Sequence, residues 1–403
     1  MPSTPPEGGP APIDGALPEP ALVGMGARPL SLYLHVPFCA VRCGYCDFNT
    51  YTSAELGSAP GASRQAYLDA VRAELELAAS VLGSAPPVST VFFGGGTPTL
   101  LDAGELGGLL DAVRSTFGLA PDAEVTTEAN PESVDAAYLD GLVAAGFTRL
   151  SLGMQSSAPH VLRVLDRRHT PGRVARVVDW ARAAGFGSVS LDLIYGSPGE
   201  TADDWRSTLR AALELAPDHL SAYSLIVEPG TRLAARIARG ELAGVDDDVH
   251  AEYYVIADEE LARAGLSWYE VSNWSRPGHE CRHNLAYWRG DDWWGFGPGA
   301  HSHIGGVRWW NLRHPSRYAA RLQAGESPAE AREVLTADER RIERVLLELR
   351  LAEGLDLQVL TPTERARVAV VLDAGMASVT DGRLRLSGNG RLLADGIVRD
   401  LLD

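Results

Sequence analysis

Short apolar segments alternate with longer amphipathic segments from Leu30 onward, and this alternation constrains the fold more than any other feature. The predicted strands are Ser31–His35, Thr90–Phe93, Glu124–Glu128, Arg149–Leu152, Ser188–Asp192 and His219–Tyr223. The predicted helices between them are Arg64–Leu82, Ala103–Phe117, Val134–Ala145, Pro171–Ala184 and Ala202–Ala216. Six strands that alternate with five helices predict an α/β fold with a parallel sheet or partial barrel, in which functional side chains lie at the strand ends.

The rest of the 403-residue chain differs from this pattern. Residues 1–28 are rich in Pro, Gly and Ala, without a basic start and apolar run, which predicts a disordered leader and not a secretory signal. Residues 236–330 contain seven of the nine Trp residues. Residues 331–403 predict two helices, a hairpin turning at Asp381 and a last helix, which is the order of a small winged-helix-like domain.

Charge and cysteine usage narrow the functional classes. The formal net charge of −17 disfavours nucleic acid as a partner, because phosphate binding requires basic surface, so we interpret the C-terminal domain as a structural cap. No run of about 18 apolar residues predicts a membrane span. Three of the four Cys residues lie within eight positions, which is unlike a disulfide framework and indicates a metal or cluster site in a reducing compartment, the cytoplasm by default.

The three clustered cysteines are Cys39, Cys43 and Cys46, spaced C-x3-C-x2-C just after the first predicted strand. Three thiolates on one loop can bind three irons of a [4Fe–4S] cubane and leave the fourth iron open to an external ligand. A zinc site is the alternative, but zinc usually takes four ligands in paired C-x2-C motifs, and Cys281 is more than 200 residues away.

This spacing resembles that of the radical S-adenosylmethionine (SAM) superfamily. The resemblance implies a partial (β/α)6 barrel over residues 29–235, a [4Fe–4S] cluster on the three cysteines, and SAM bound at the open iron. In that superfamily one electron from the cluster cleaves SAM to a deoxyadenosyl radical. The Gly94-Gly95-Gly96-Thr97 run follows a strand, as the superfamily's glycine-rich SAM motif does.

Polar residues at later strand ends complete a predicted SAM pocket, since ribose, adenine and carboxylate groups all need hydrogen-bonding partners. Arg167 is the predicted partner of the SAM carboxylate, with Arg168 as the weaker choice. The predicted SAM-binding residues are Tyr33, Gly96, Thr97, Glu128, Gln155, Arg167 and Asp192.

Four longer motifs resemble one branch of the superfamily, the oxygen-independent coproporphyrinogen III oxidases and their relatives, the HemW-type heme chaperones. The motifs are Leu32–Cys39, Phe93–Thr99, Ser151–Gln155 and Asp192–Gly196. The oxidases carry a further Cys two residues after the third cluster ligand, whereas this chain has Phe48. The segment from His283 to Trp288 matches the H-N-x-x-Y-W motif of the chaperones, where it is linked to heme binding.

The resemblance therefore implies a heme chaperone that binds heme as cargo through His283, Asn284, Tyr287 and Trp288. Heme needs aromatic surface and often a His ligand, although a packed aromatic core with a hydrogen-bonded His would look the same in sequence. The implied partners are heme-accepting proteins such as respiratory enzymes, which would bring the chain into transient contact with membranes. The alternatives are a coproporphyrinogen III oxidase and a radical SAM enzyme with another substrate.

Overall fold

The computed structural model describes residues 7–57, 61–167 and 170–403. Within these ranges, thirteen strands form one sheet in the order β1-β13-β12-β11-β10-β2-β3-β4-β5-β6-β7-β9-β8. The strands are β1 (Gly9–Pro10), β2 (Leu30–Val36), β3 (Val88–Gly95), β4 (Leu119–Ala129), β5 (Arg149–Gln155), β6 (Ser188–Tyr195), β7 (His219–Ser224), β8 (Ser267–Glu270), β9 (Asn273–Ser275), β10 (Asp292–Phe296), β11 (His301–Ile304), β12 (Val307–Asn311) and β13 (Ala329–Val334).

The six predicted strands correspond to β2 to β7, which lie side by side in parallel. Their apolar runs are buried on both faces, as expected where helices cover a parallel sheet. The strand β10 also pairs in parallel with β2, placing Asp292 beside Leu30, and antiparallel strands extend both edges. The order does not close on itself, so the predicted α/β fold with a partial barrel is confirmed.

The helices pack against this sheet and against each other. They are α1 (Glu19–Leu22), α2 (Ser53–Leu56), α3 (Arg64–Leu82), α4 (Ala103–Phe117), α5 (Ala136–Ala145), α6 (Pro159–Val164), α7 (Arg173–Ala184), α8 (Ala202–Glu214), α9 (Arg232–Ala238), α10 (Asp247–Arg263), α11 (Arg282–Trp288), α12 (Pro315–Gln323), α13 (Ala337–Glu348), α14 (Pro362–Asp373), α15 (Gly388–Leu392) and α16 (Ala394–Leu402). A capping box of Asp102 and Glu105 begins α4, and Gly118 ends it, which explains why its predicted bounds are confirmed.

The C-terminal region adds a small sheet of β14 (Leu355–Asp356), β15 (Ala377–Thr380) and β16 (Arg383–Leu386). Together with α13, α14 and α16 it has its own apolar core, which includes Val345, Leu384 and Leu401. The order of helix, helix, hairpin and helix is as predicted. The last predicted helix forms as two helices, α15 and α16, because Leu393 between them has φ −113° and ψ 18°, outside helical geometry.

The prediction of a disordered leader is wrong for residues 7–28, while residues 1–6 lie outside the described part. The strand β1 pairs with β13 at the sheet edge, and Met25 is buried in the core. The Arg28 guanidinium lies 2.6 Å from the Asp292 carboxylate. A Pro- and Gly-rich composition is therefore compatible with order here, because an edge strand tolerates both residue types.

The aromatic-rich region contributes five strands, β8 to β12, to both edges of the same sheet. Its Trp residues largely serve as core: Trp274 is fully buried, and the rings of Trp294 and Trp309 meet edge to face, 4.7 Å apart. The predicted division of the chain at residues 235 and 330 stays a prediction. In the described ranges, no helix has both the length and the apolar character needed to cross a membrane.

Candidate functional site

A cavity of about 730 Å³ opens at the carboxyl ends of the parallel strands. It brings together nearly all of the side chains predicted from the sequence. The predicted residues that line it are Tyr33, Cys39, Cys43, Cys46, Gly96, Thr97, Glu128, Gln155, Arg167, Asp192, His283, Asn284 and Tyr287. Trp288 is not among the lining residues and packs instead behind them, near Leu351. The cluster, SAM and heme predictions therefore concern a single space.

The cysteine loop after β2 is fixed by hydrogen bonds to distant segments. The Cys39 amide donates to the Tyr51 carbonyl over 3.0 Å, and the Asn49 side chain donates to the carbonyls of Pro298 and Arg313. All three cysteines are free and partly exposed. Among the described residues, no three His, Cys, Asp or Glu side chains are placed to hold a single ion.

The glycine-rich turn after β3 lies directly against the cysteine loop. The Gly96 amide donates to the Val36 carbonyl and the Thr97 amide to the Phe38 carbonyl, each over 2.8 Å. A Cβ at residue 96 would lie only 2.5 Å from the Phe38 carbonyl oxygen, so only glycine fits. The turn therefore sets the distance between the loop and the strand ends.

Two carboxyl groups line the cavity, Glu128 near the end of β4 and Asp192 in the middle of β6. Burial, followed by the nearby charge of Asp192, raises the pKa of Glu128 to about 8, although its carboxylate accepts a hydrogen bond from the Gly95 amide. Burial also raises the pKa of Asp192, and the Ser151 hydroxyl donates to its carboxylate over 2.9 Å. A protonated Glu128 can donate to a ligand as well as accept from one, which suits hydroxyl or amine groups.

Arg167 lies between the cysteine loop and the end of β5. Its Nη1 is 3.5 Å from the Cys43 sulfur, and its Nη2 donates to the Gly153 carbonyl over 3.3 Å. Its Nε is buried with no hydrogen-bond partner in the described ranges. A guanidinium with a spare donor beside the cysteines can pair with a carboxylate. Arg168, the weaker choice, lies outside the described residues.

Gln155 also lines the cavity, in an unusual backbone conformation. Its φ angle is +66°, in the left-handed region that residues other than glycine rarely adopt. It lies at the end of β5, at an irregularity in the pairing with β6. Such strain at the edge of a cavity is typical of positions where a side chain is held for a ligand.

The H-N-x-x-Y-W motif forms α11 at the floor of the cavity. The His283 ring is only 1% exposed, and both of its nitrogens are engaged: Nδ1 with the Thr90 hydroxyl at 2.7 Å, and Nε2 with the Tyr287 hydroxyl at 2.9 Å. Burial lowers the pKa of His283 to about 3, so the ring is neutral. In this arrangement His283 does not present a free nitrogen to the cavity.

The motif instead supports Tyr33 through a stack of rings. His283 stacks on Phe92 with centroids 5.1 Å apart, and Phe92 stacks on Tyr33 at 6.2 Å. The Tyr33 hydroxyl lies 3.1 Å from Nδ1 of His35. A continuous series of side-chain contacts therefore joins His283 at the floor of the cavity to Tyr33 and His35 near the cysteine loop.

Sequence reasoning missed two carboxyl groups that organise the motif, the partly buried Glu124 and the fully buried Glu270. Glu124 accepts hydrogen bonds from the amides of Arg282 and His283, both over 3.0 Å. Glu270 accepts from the side chains of Asn273 and Asn284, and forms a strand bridge to Leu351 of the C-terminal region. The sequence contained one sign of the role of Glu124, since a charged residue stands at the start of the predicted strand Glu124–Glu128. No sequence pattern indicated a role for Glu270.

Replacing Glu270 with Gln should weaken the pH dependence of stability. Burial raises the pKa of Glu270 to about 8, although Asn273 and Asn284 partly offset it. An unfolded Glu titrates near 4.3, so the native state holds the proton more tightly and the free energy of unfolding falls as pH rises from about 5 to about 8. We expect this fall to shrink by about 4 kcal/mol in Glu270→Gln, measured by urea unfolding at several pH values.

The matched control for this prediction is Glu214→Gln on the exposed face of α8, which should leave the pH slope unchanged. An unchanged slope in Glu270→Gln as well would mean that Glu270 is ionised in the native state near neutral pH. That result would contradict the raised pKa of Glu270 and leave its hydrogen bonds to Asn273 and Asn284 unaffected.

Comparisons with known proteins place this chain in a family. The model of the radical SAM superfamily matches residues 33–212. Heme chaperone HemW of Mycobacterium tuberculosis is 56% identical over 95% of this chain and 97% of its own length, and heme chaperone HemW of Bacillus subtilis is 36% identical over 81% and 84%.

A solved structure of coproporphyrinogen III oxidase (HemN) from Escherichia coli, a radical SAM enzyme, superposes with a TM-score of 0.80 at 26% identity. The match covers 94% of this chain and 92% of that one, so it includes the C-terminal region. The resemblance inferred from the motifs is confirmed. The chain belongs to the HemW family of the radical SAM superfamily.

Proposed function

We propose that this protein is a heme chaperone, which binds heme and delivers it to acceptor proteins, built on a scaffold that binds a [4Fe–4S] cluster and SAM. The observation that carries the proposal is Phe48 at the mouth of the cavity, 54% exposed, where the oxidases have a further Cys. It stands in a chain that is 56% identical to a protein named as a heme chaperone. An exposed phenyl ring offers apolar surface and no thiol chemistry at the opening of the site.

The residues of the cavity fit the cluster and SAM. Cys39, Cys43 and Cys46 would each bind one iron of the cluster, which leaves the fourth for the methionine part of SAM. A bound cluster would be able to supply the electron that SAM cleavage requires. The thiols share one loop and one cavity, which supports the cluster assignment. Arg167 supports the SAM assignment, because its Nη1 lies beside Cys43 while its buried Nε has no partner in the described ranges.

The other cavity residues would bind and orient SAM. The backbone at Gly96 and Thr97 would lie against its methionine part, and Arg167 would pair with its carboxylate. Hydrogen bonds to the ribose, adenine and amine groups would come from residues around the wall: Tyr33, Glu128, Gln155 and Asp192. The near-neutral pKa of Glu128 allows this residue to act as a donor or an acceptor.

Heme contact by His283, Asn284, Tyr287 and Trp288 stays a prediction. The first three side chains line the floor of the cavity, but His283 could bind iron only after releasing Thr90 or Tyr287. The proposed location is the cytoplasm, because free cluster-binding thiols need a reducing compartment. The proposed acceptors are heme proteins such as respiratory enzymes, and reaching them would involve transient contact with membranes.

The proposal predicts heme binding without oxidase turnover. Anaerobically reconstituted protein should bind about one heme per chain in a spectroscopic titration, because the proposed site lies at one cavity of the chain. It should also transfer that heme to an acceptor protein that lacks heme. Incubation with coproporphyrinogen III, SAM and a reductant should yield no protoporphyrinogen. The oxidase is the second candidate because of the superposition with HemN, and HemN itself is the positive control. Turnover at ordinary enzyme rates, or no heme binding, would contradict the proposal.

A further inference from the structure

Four exposed apolar side chains surround the mouth of the cavity, and we call them the apolar collar. They are Val41, Phe48, Tyr223 and Ile226, with exposed fractions of 71, 54, 44 and 65%. Val41 and Phe48 come from the cysteine loop, whereas Tyr223 and Ile226 come from the end of β7 and the loop that follows. Exposed apolar residues scattered singly are ordinary, but a group that rims one opening indicates a binding surface.

A second opening, which we call the arginine groove, adjoins the collar. It has a volume of about 500 Å³ and shares Cys46, Asp47 and Phe48 with the main cavity. Its charged lining consists of Arg42, Arg313, Arg317, Asp47 and Glu330. Arg317 is exposed and forms no ion pair within the described ranges. Arg42 already pairs with Glu55, so Arg317 is the arginine that the groove offers to an anion, on a chain of net charge −17.

We propose that heme docks on the apolar collar, with its macrocycle over Phe48 and Ile226 and its propionates directed into the arginine groove. This inference rests on the proposed function. Heme is an apolar disc with two carboxylates on one edge, and the collar and groove meet at Phe48. Apolar contact with the disc and charge pairing with the edge therefore come from adjacent surfaces of the protein.

Accessibility favours the collar over the buried motif as the docking place. Cargo that must be handed to another protein has to leave, and the collar is already open to solvent. His283 is 1% exposed, with Thr90 and Tyr287 on its two ring nitrogens, so heme at that place would require the floor to open. The collar needs no such rearrangement. An acceptor protein could also cover these residues, and the experiment below separates the two occupants.

The test measures heme affinity of the reconstituted full-length protein by absorbance titration. Phe48→Ser and Ile226→Ser should each weaken heme binding about tenfold, because each removes apolar surface that the macrocycle would cover. Val370→Ser is the matched control, because Val370 is an apolar residue on α14 that is 70% exposed and lies far along the chain from the collar. It should bind heme as the parent protein does.

The propionates are tested with a second pair of variants and a second ligand. Arg317→Gln should weaken binding of heme about threefold, as expected for an exposed charge pair, and should leave binding of heme dimethyl ester unchanged. Arg399→Gln, an exposed arginine on α16, is the control and should change neither. Cluster iron content and SAM binding, measured on every variant, verify that the cavity is intact.

Each outcome has a defined meaning. If the parent protein fails to bind heme, the proposed function itself fails. If the parent binds heme and the collar variants bind it equally well, the collar inference is overturned. Loss of heme only in His283→Gln would assign the cargo to the floor of the cavity. Collar variants that bind heme normally but fail to transfer it would show that the collar meets the acceptor protein, which also overturns the inference.

Discussion

Replacing Cys39, Cys43 or Cys46 with Ala, one at a time, should abolish stable cluster binding. The three thiols are the sole cysteines facing the cavity from one loop, and each would hold a different iron, so a loss leaves two irons without a protein ligand. We expect iron in the purified, reconstituted protein to fall from about four atoms per chain to well under one. SAM binding should fall with it, because the open iron is part of the SAM site.

The control for this experiment is Cys281→Ala. Cys281 also lines the cavity, but it is buried at the floor, with its sulfur 3.6 Å from Glu124. Burial raises the pKa of its thiol, as expected for a structural cysteine. This variant should keep its full iron content. Cluster content is measured in every variant by iron and sulfide assays and by the visible absorption of the cluster. Retention of four irons after loss of Cys43 would refute the ligand assignment.

Replacing Gly96 with Ala should have the second largest effect. The new Cβ would lie 2.5 Å from the Phe38 carbonyl oxygen and 3.0 Å from that of Val36, and both belong to backbone that cannot rotate away. Overpacking of this kind costs about 3 kcal/mol in the free energy of unfolding. The relief of the clash would push the cysteine loop away from the turn, so we also expect SAM affinity to fall about tenfold or more.

Gly108→Ala in α4 is the matched control, because the nearest atom to its new Cβ is the mobile end of Arg72, 3.5 Å away. Replacing a helical glycine should stabilise the protein by about 1 kcal/mol. Urea unfolding and a SAM titration on both variants measure the two effects. Equal stability and equal SAM affinity in Gly96→Ala would mean that the turn does not set the position of the loop.

Much of the fold follows from local sequence signals. Apolar runs and capping residues identify β2 to β7 and the helices between them, and α3 and α4 end where the pattern predicts. The parallel pairing of β10 with β2 was beyond such reasoning, because Asp292 and Leu30 are far apart in sequence. The order in residues 7–28 was missed for the same reason, since it depends on β13 and Asp292.

The functional site, like the fold, was only partly predictable from the sequence. Parallel strands place their carboxyl ends along one edge, so the sequence could predict that the cysteines, Gly96, Glu128 and Asp192 would share a cavity. The burial of His283 could not be predicted, since it is imposed by Thr90 and Glu124 on other elements. Hydrogen-bond partners of a motif are set by tertiary packing, which residue types alone do not encode.

The attachment of the cysteine loop to late segments bears on how the protein is assembled in the cell. Asn49 anchors the loop to Pro298 and Arg313, and β10 must pair with β2 beside it. The ribosome must therefore synthesise about three quarters of the chain before the cysteine loop can form these contacts and adopt its native conformation. We expect cluster insertion to be a late step in biogenesis, and a fragment that stops before Asp292 to be a poor iron acceptor.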